Sequence, residues 1–292
     1  MTRSDVKNKE KTMTTILDGK KLSIKILNDL AEKLAKLDKK PALAVILVGE
    51  DPASQLYVGI KKKTAERIGM NSIIITYPEN IDEKILLDKI NELNNDKEIT
   101  AMLVQIPLPK HINLKTVLET ISPKKDVDGI TPENIGRISI GAEPYAYPCT
   151  PKGILLLLDE YKIDLDGKHV VIIGRSNIVG KPLAQMVLNK NATVTVCHSH
   201  TKNLSDITKT ADILISAVGV NKIIRKDMIK NKSVIVDVGV SKIDGKTCGD
   251  VDFENVSAIS SFISPAIGGV GPMTIATLMS NTYELFKLNR DI

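Results

Sequence analysis

In the run GEDPASQLYVGIKKK (49–63) a tyrosine stands four residues ahead of a lysine. On a helix that spacing sets Tyr57 and Lys61 on one face about a turn apart, a phenol above an amine. Taken alone, the stretch is a solvated face of three lysines, Lys61 to Lys63, behind a half-buried aromatic. Two neighbours in the sheet plan give it company. Gln105 falls at the end of AMLVQI (101–106), and the turn-rich loop KKDVDG (124–129) carries Asp126 and Asp128. Each has a bland role open to it, since Gln105 can satisfy loop backbone groups and Asp126 can close a turn. All three features, however, lie at or just beyond the carboxyl end of a strand, where open parallel sheets take their ligands. A carboxylate, an amide, a phenol and an amine would meet on one rim.

A second set of residues is suited to a phosphate. HVVIIGRSNIVGKP (169–182) reads as a buried strand ending in Gly174, a loop, and Gly180 opening a helix. That arrangement aims backbone N–H groups and the positive helix end at an anion. Ser176 stands where the second glycine of GxGxxG belongs, so the fingerprint is incomplete. The next strand ends CHSHT (197–201) with no acid to take ribose hydroxyls, and Arg175 supplies a cation that a 2′-phosphate would pair with, helped by Ser199 or His198. The pattern points to NADP. His198 and His200 are too few to make a zinc site, and no metal is expected.

These groups need elements to place them. Short β-branched runs alternate with helical patterns throughout, which predicts an α/β protein with parallel strands. In the first half the strands are 42–49, 71–77 and 101–106; in the second they are 169–174, 192–197, 212–219 and 233–239. Asp51 and Pro52 are suited to cap and start the helix of Lys61, and Gly69 to stop it. Gly59 inside that helix costs about 1 kcal/mol relative to Ala, so something else must hold the helix or use the close approach that Gly allows. GAEPYAYPCTPKG (141–153) reads as a hinge or linker. An amphipathic helix runs from Met273 to about Leu288. The domain plan is a disordered tail at 1–13, a substrate domain of 14–148 completed by 274–292, and a Rossmann-like cofactor domain of 149–273, with a cleft between them. Met13 is an alternative start.

Composition limits the classes. The 292 residues are 42% hydrophobic, enough for one large core or two ordinary ones. No stretch reaches the roughly 18 unbroken apolar residues of a membrane span. A net charge of +5 would attract anions, but with 3% aromatics and no Trp there is little to stack a single strand on, so nucleic acid is not an expected partner. Cys149, Cys197 and Cys248 form neither a disulfide framework nor a CxxC pair, which suits a reducing cytoplasm.

The segments VGEDPASQLYVGIKKK (48–63), LVQIPLP (103–109), KDVDG (125–129), PCTPKG (148–153), GRSNIVGKP (174–182) and GGVGPMT (268–274) together resemble the bifunctional methylenetetrahydrofolate dehydrogenase/cyclohydrolase family, in order and across nearly the whole chain. The resemblance implies NADP-dependent oxidation of methylenetetrahydrofolate to the methenyl cation and its hydrolysis to 10-formyltetrahydrofolate in one cleft. It implies that Lys61 is the central catalytic group, that Tyr57 packs on the folate ring, that Gln105 orients Lys61, and that Asp128 takes the pterin's amino edge, with Asp126 a secondary candidate and Lys63 a supporting charge. It further implies substrate contacts from Gly271 and Pro272, cofactor contacts from Gly174, Arg175, Ser176, Gly180, Ser199, Thr150, Gly219 and Val240, and a homodimer formed through the cofactor domain. Polyglutamylated folates would be steered by a basic rim. The last loop departs from the family's TPVPGGVGPMT: this chain has SPAIGGVGPMT from Ser264 to Thr274, with Ile267 in place of a proline, which predicts a loop freer in the unfolded state and open to reshaping in the folded one. The competing expectations are a monofunctional or NAD-preferring dehydrogenase of the same fold and a non-enzymatic basic protein that binds nucleic acid.

Overall fold

A computed structural model describes residues 14–289; the expected tail at 1–13 lies outside the described residues. In chain order the first half contains β1 (Thr15–Ile16), α1 (Gly19–Ala35), β2 (Ala42–Val48), α2 (Pro52–Arg67), β3 (Asn71–Tyr77), α3 (Glu83–Asn95), β4 (Ala101–Val104), α4 (Leu114–Thr120), α5 (Pro132–Ser139) and α6 (Cys149–Glu160). The second half continues with β5 (His169–Ile173), α7 (Gly180–Leu188), β6 (Thr193–Cys197), α8 (Leu204–Thr208), β7 (Ile213–Ser216) and a 3₁₀ turn at Lys226–Met228. It ends with β8 (Val234–Asp237), β9 (Val240–Ile243), β10 (Lys246–Gly249), α9 (Phe253–Ser257), β11 (Phe262–Ile263) and α10 (Val270–Leu288).

The β-branched runs become two parallel sheets. One has the order β3-β2-β4, the other β1-β11-β8-β7-β5-β6. Every residue of β2 is buried because helices cover both of its faces, which is why the run shows no alternation. Leu43, Val45 and Leu47 pack toward α1, α2 and α10, while Ala44, Ile46 and Val48 pack toward Leu86 and Ile90 of α3 and Val117 of α4. The second sheet divides in the same way: Val170 and Ile172 face α6 and α7, and Val171 and Ile173 face the α9 side.

Five sequence expectations need correction. Strands expected to run through Gly49, Gly174 and Gly219 stop before them; at Gly49 the backbone takes φ +83°, outside the extended region. Residues 15–16, assigned to the substrate domain, add an edge strand to the second sheet, where Thr15 N donates to Ser261 O and Leu17 N to Ile263 O. Residues 141–153 are no free linker: α6 starts within them at Cys149, and Asn281 on α10 donates to the Tyr147 carbonyl. The last helix starts at Val270, not Met273, and reaches both cores through Val270 and Met273 on one side and Ile275 to Leu285 on the other. Finally, a β9–β10 hairpin occupies 240–249, where no strands were expected; Asp244 at φ +49° and Gly245 at φ +74° form its turn.

Candidate active site

α2 is built as its sequence suggests. Asp51 accepts from Ser54 N at 2.8 Å, Pro52 opens the first turn, and Ile68 and Gly69 end it. The helix buries Ser54, Val58, Lys61 and Ala65, a single stripe at helical spacing. Lys61 therefore points inward and is 8% exposed, while Lys62 and Lys63 stay on the solvent side. Gly59 meets nothing where a Cβ would lie, so no close approach uses it.

Lys61 Nζ donates to Gln105 Oε1 at 3.0 Å. Gln105 follows β4 directly, and its backbone N donates to the Ile46 carbonyl of β2 at 2.8 Å. Its side-chain Nε2 donates to the Ile106 carbonyl at 2.7 Å, ahead of a cis Ile106–Pro107 bond. With one end of the amide spent on its own loop, the other end is left facing the amine.

The 124–129 loop is laid along β4 by Met102 N donating to the Lys125 carbonyl and Val127 N to the Met102 carbonyl. Asp126 does not reach the cleft. Its carboxylate accepts from Gly129 N at 2.9 Å, Thr131 N at 2.7 Å and Asn134 Nδ2 at 3.0 Å, and burial raises it above the usual carboxylate range. Asp126 shapes the loop, and Asp128 is the carboxylate that it presents.

Lys61, Gln105, Ile106, Asp128 and Ile130 from the first half share a cavity of about 150 Å³ with Cys149, Thr150, Ile178, Val179 and Thr274. Thr150 and Thr274 hydroxyls lie 2.9 Å apart on its far wall. Burial, with Asp128 beside it, holds the Cys149 thiol well above the usual thiol range, and its Sγ donates to the Val127 carbonyl. A larger hollow of about 720 Å³ near Lys39 and Lys125 lacks this convergence, since the Lys125 amine is spent on the Leu93 and Asp96 carbonyls. Tyr57, one turn before Lys61, is 46% exposed and lies outside the cavity lining, as do Gly271 and Pro272. Thr274, three residues after Gly271, takes their place. Ile106, Ile130, Ile178 and Val179 escaped sequence reasoning because apolar residues in loops that carry Pro or Gly look like ordinary loop packing. Ile267 is 70% exposed, and the carbonyl of the next residue, Gly268, accepts from Lys20 N at 2.8 Å.

The phosphate-type turn is tightly packed. A Cβ on Gly174 would stand 2.6 Å from the Ala217 carbonyl, and one on Gly180 would collide with the Gly174 carbonyl. Ser176, in the position of the missing glycine, accepts from Val179 N at 3.1 Å and so caps the turn into α7. Arg175 is exposed beside it. Arg175 and His198 follow the paired ends of β5 and β6, and burial first, then the Arg175 charge and His200, hold His198 below the usual imidazole range. His200 N donates to His198 Nδ1, and Ser199 is exposed between them. Gly219, at φ +68°, and Val240, 49% exposed, line the next gap along the sheet. The cradle formed by Gly174, Gly180 and this basic edge fits a dinucleotide with a 2′-phosphate. Among the described residues no group of three or more His, Cys, Asp and Glu is placed to hold a metal.

Comparison with known proteins agrees with this geometry. Residues 17–128 match the family model described as tetrahydrofolate dehydrogenase/cyclohydrolase, catalytic domain, and residues 148–290 match its NAD(P)-binding domain. The chain is 52% identical over 279 residues to the bifunctional protein FolD of Bacillus cytotoxicus, covering 94% of this chain and 97% of that one. It is similar to the crystal structure of the bifunctional methylenetetrahydrofolate dehydrogenase/cyclohydrolase of Campylobacter jejuni, with a TM-score of 0.93 at 50% identity over 94% of this chain and 99% of that one. The corresponding enzyme of Trypanosoma brucei, complexed with NADP cofactor and inhibitor, gives a TM-score of 0.92 at 33% identity, over 96% and 99% of the two chains.

Proposed function

This chain belongs to the tetrahydrofolate dehydrogenase/cyclohydrolase family, and we infer that its one cleft oxidises methylenetetrahydrofolate with NADP⁺ and then hydrolyses the methenyl product to 10-formyltetrahydrofolate. The observation that carries this reading is the buried Lys61 amine, held by Gln105 in a cavity whose opposite wall comes from the cofactor half.

Bound along the Gly174–Gly180 turn, NADP⁺ supplies the hydride acceptor. Gly174, Ser176 and Gly180 would hold its phosphates against the start of α7, and Arg175, with Ser199 and His198, would pair with the 2′-phosphate. Thr150, Gly219 and Val240 would line the rest of its site. The carbon to be oxidised lies between two nitrogens whose lone pairs stabilise the cation, so this step needs alignment and no acid or base from the protein. Tyr57, exposed one turn before Lys61, packs on the folate ring, Asp128 accepts from the pterin's amino edge, and Gly271 and Pro272 reach the substrate from the first turn of α10, ahead of Thr274. Asp126 acts through Asp128 by fixing their loop.

Hydrolysis needs a base. Lys61 takes the proton of the water that attacks the cationic carbon and returns one to the ring nitrogen as its bond to that carbon breaks. Gln105 aims the amine. The apolar Ile106, Ile130, Ile178 and Val179 thin the water around it.

The enzyme acts as a homodimer paired through the cofactor half and works in the cytoplasm. The open edge of β6 and three free cysteines support this part of the reading. The test mixes purified protein with methylenetetrahydrofolate and NADP⁺ or NAD⁺ and follows NADPH or NADH absorbance and the methenyl chromophore separately. Faster NADPH formation with no lasting methenyl species is expected. A methenyl species that accumulates would leave the dehydrogenase alone standing, and equal rates with NAD⁺ would remove the role of Arg175.

A further inference from the structure

The second half buries two carboxylates that the chemistry above does not use. Asp237 ends β8 and is 3% exposed, and Asp250, just after β10, is fully buried. Asp250 takes three hydrogen bonds from the end of β7: Ser216 Oγ at 2.8 Å, Val218 N at 2.9 Å and Val220 N at 2.8 Å. Asp237 in turn accepts from Asp250 N at 3.0 Å and Val251 N at 3.2 Å. The backbone is moulded around the pair: a Cβ on Gly239 would collide with both Asp250 carboxyl oxygens, and one on Gly249 with Asp237 Oδ2. Removing carboxyl groups from water is costly even with good donors, and apolar packing would hold two strand ends at least as well. What the carboxylate adds is a fixed backbone.

The backbone that it fixes lies at the cofactor crevice. The position of a Cβ on Gly174 is 2.6 Å from the Ala217 carbonyl and 3.5 Å from Val218 Cγ1, so the turn at 217–220 stands directly against the phosphate-type turn. On its other side, the Cβ position of Gly219 is 3.3 Å from the Val240 carbonyl at the root of the hairpin. With the N–H groups of Val218 and Val220 both turned onto one carboxylate, Gly219 between them is held at φ +68°.

We propose that Asp250 is a positioning residue for the dinucleotide: it holds the 217–220 turn as a rigid wall of the crevice, and Asp237 holds Asp250. The proposal rests on the NADP reading above. Neither carboxylate lines the Lys61 cavity, so hydrolysis, which uses no dinucleotide, should not depend on them.

Calorimetric titration of the full chain with NADP⁺, paired with the hydrolysis rate on methenyltetrahydrofolate, tests it. Asp250→Asn turns one acceptor oxygen into a donor facing an N–H, and the NADP⁺ dissociation constant and KM should rise about tenfold or more while the hydrolysis rate is kept. If that variant fails to fold, Ser216→Ala, which removes one donor and leaves the carboxylate, should weaken NADP⁺ several-fold with hydrolysis intact. Unchanged NADP⁺ affinity in a folded Asp250→Asn, or in Ser216→Ala where the first variant does not fold, overturns the proposal. A wild-type chain that takes up no NADP⁺ overturns the cofactor reading and the proposal with it.

Discussion

Lys61 Nζ lies 3.0 Å from Gln105 Oε1, and the same amide donates from Nε2 to the Ile106 carbonyl at 2.7 Å. The amide is thus oriented from behind, and the amine is held at the junction of α2 and the end of β4. Gln105 accepts one proton of the amine, which leaves the rest of the nitrogen's shell directed elsewhere.

Gln105→Leu removes that acceptor and keeps the volume. The expected result is a hydrolysis rate lowered about tenfold or more, with NADP⁺ affinity unchanged, because the lost hydrogen bond is on the folate side of the cleft. Single-turnover decay of the methenyl chromophore and a parallel NADP⁺ titration measure both. A fall in NADP⁺ affinity would show that Gln105 acts on the fold and not on Lys61.

Arg175→Ala should lower kcat/KM with NADP⁺ by roughly 10 to 100-fold and leave the NAD⁺ value almost untouched, as expected for loss of a charge-assisted bond to a 2′-phosphate. Steady-state rates with the two cofactors decide it. Equal losses with both would mean that the exposed guanidinium supports the turn and does not choose the cofactor.

Asp237 makes stability depend on pH. Burial, and then the Asp250 charge, push its carboxyl from 3.8 up to about 7. Because the folded value is the higher one, the native state holds the proton more tightly, and this carboxyl's contribution to stability is complete at low pH and is lost as pH rises from 3.8 to about 7. Asp237→Asn, a neutral replacement, should flatten the fall of the urea midpoint across that window. Curves for wild type and variant that stay parallel would contradict this assignment.

The parts of this site that could be read in the sequence are those set by local rules. Asp51 and Pro52 start α2 and Gly69 ends it, but these signals leave open which of the three lysines turns inward; the buried stripe of Ser54, Val58, Lys61 and Ala65 decides it. The unbroken apolar run of β2 gives away a strand covered on both faces. Other parts depend on contacts far apart in the chain. Thr15 and Ile16 form a strand only because β11 offers an edge, and two residues carry no periodicity. Asp237 and Asp250 look like surface acids until the hairpin folds back over them. The hairpin was not expected, although Asp244–Gly245 is the residue pair that a tight two-residue turn requires. Asp126 and Asp128, two residues apart, could not be told apart by type; burial sends one to its own loop and the other to the cleft.

The central claim is that the Lys61 amine moves the proton in hydrolysis. The direct measurement compares wild type with Lys61→Met, an apolar side chain of similar length, in decay of enzyme-bound methenyltetrahydrofolate, with NADP⁺ affinity taken as the check on folding. Decay slowed by about 10² to 10⁴-fold with NADP⁺ binding preserved is the predicted result. Decay at the wild-type rate in the variant would contradict it.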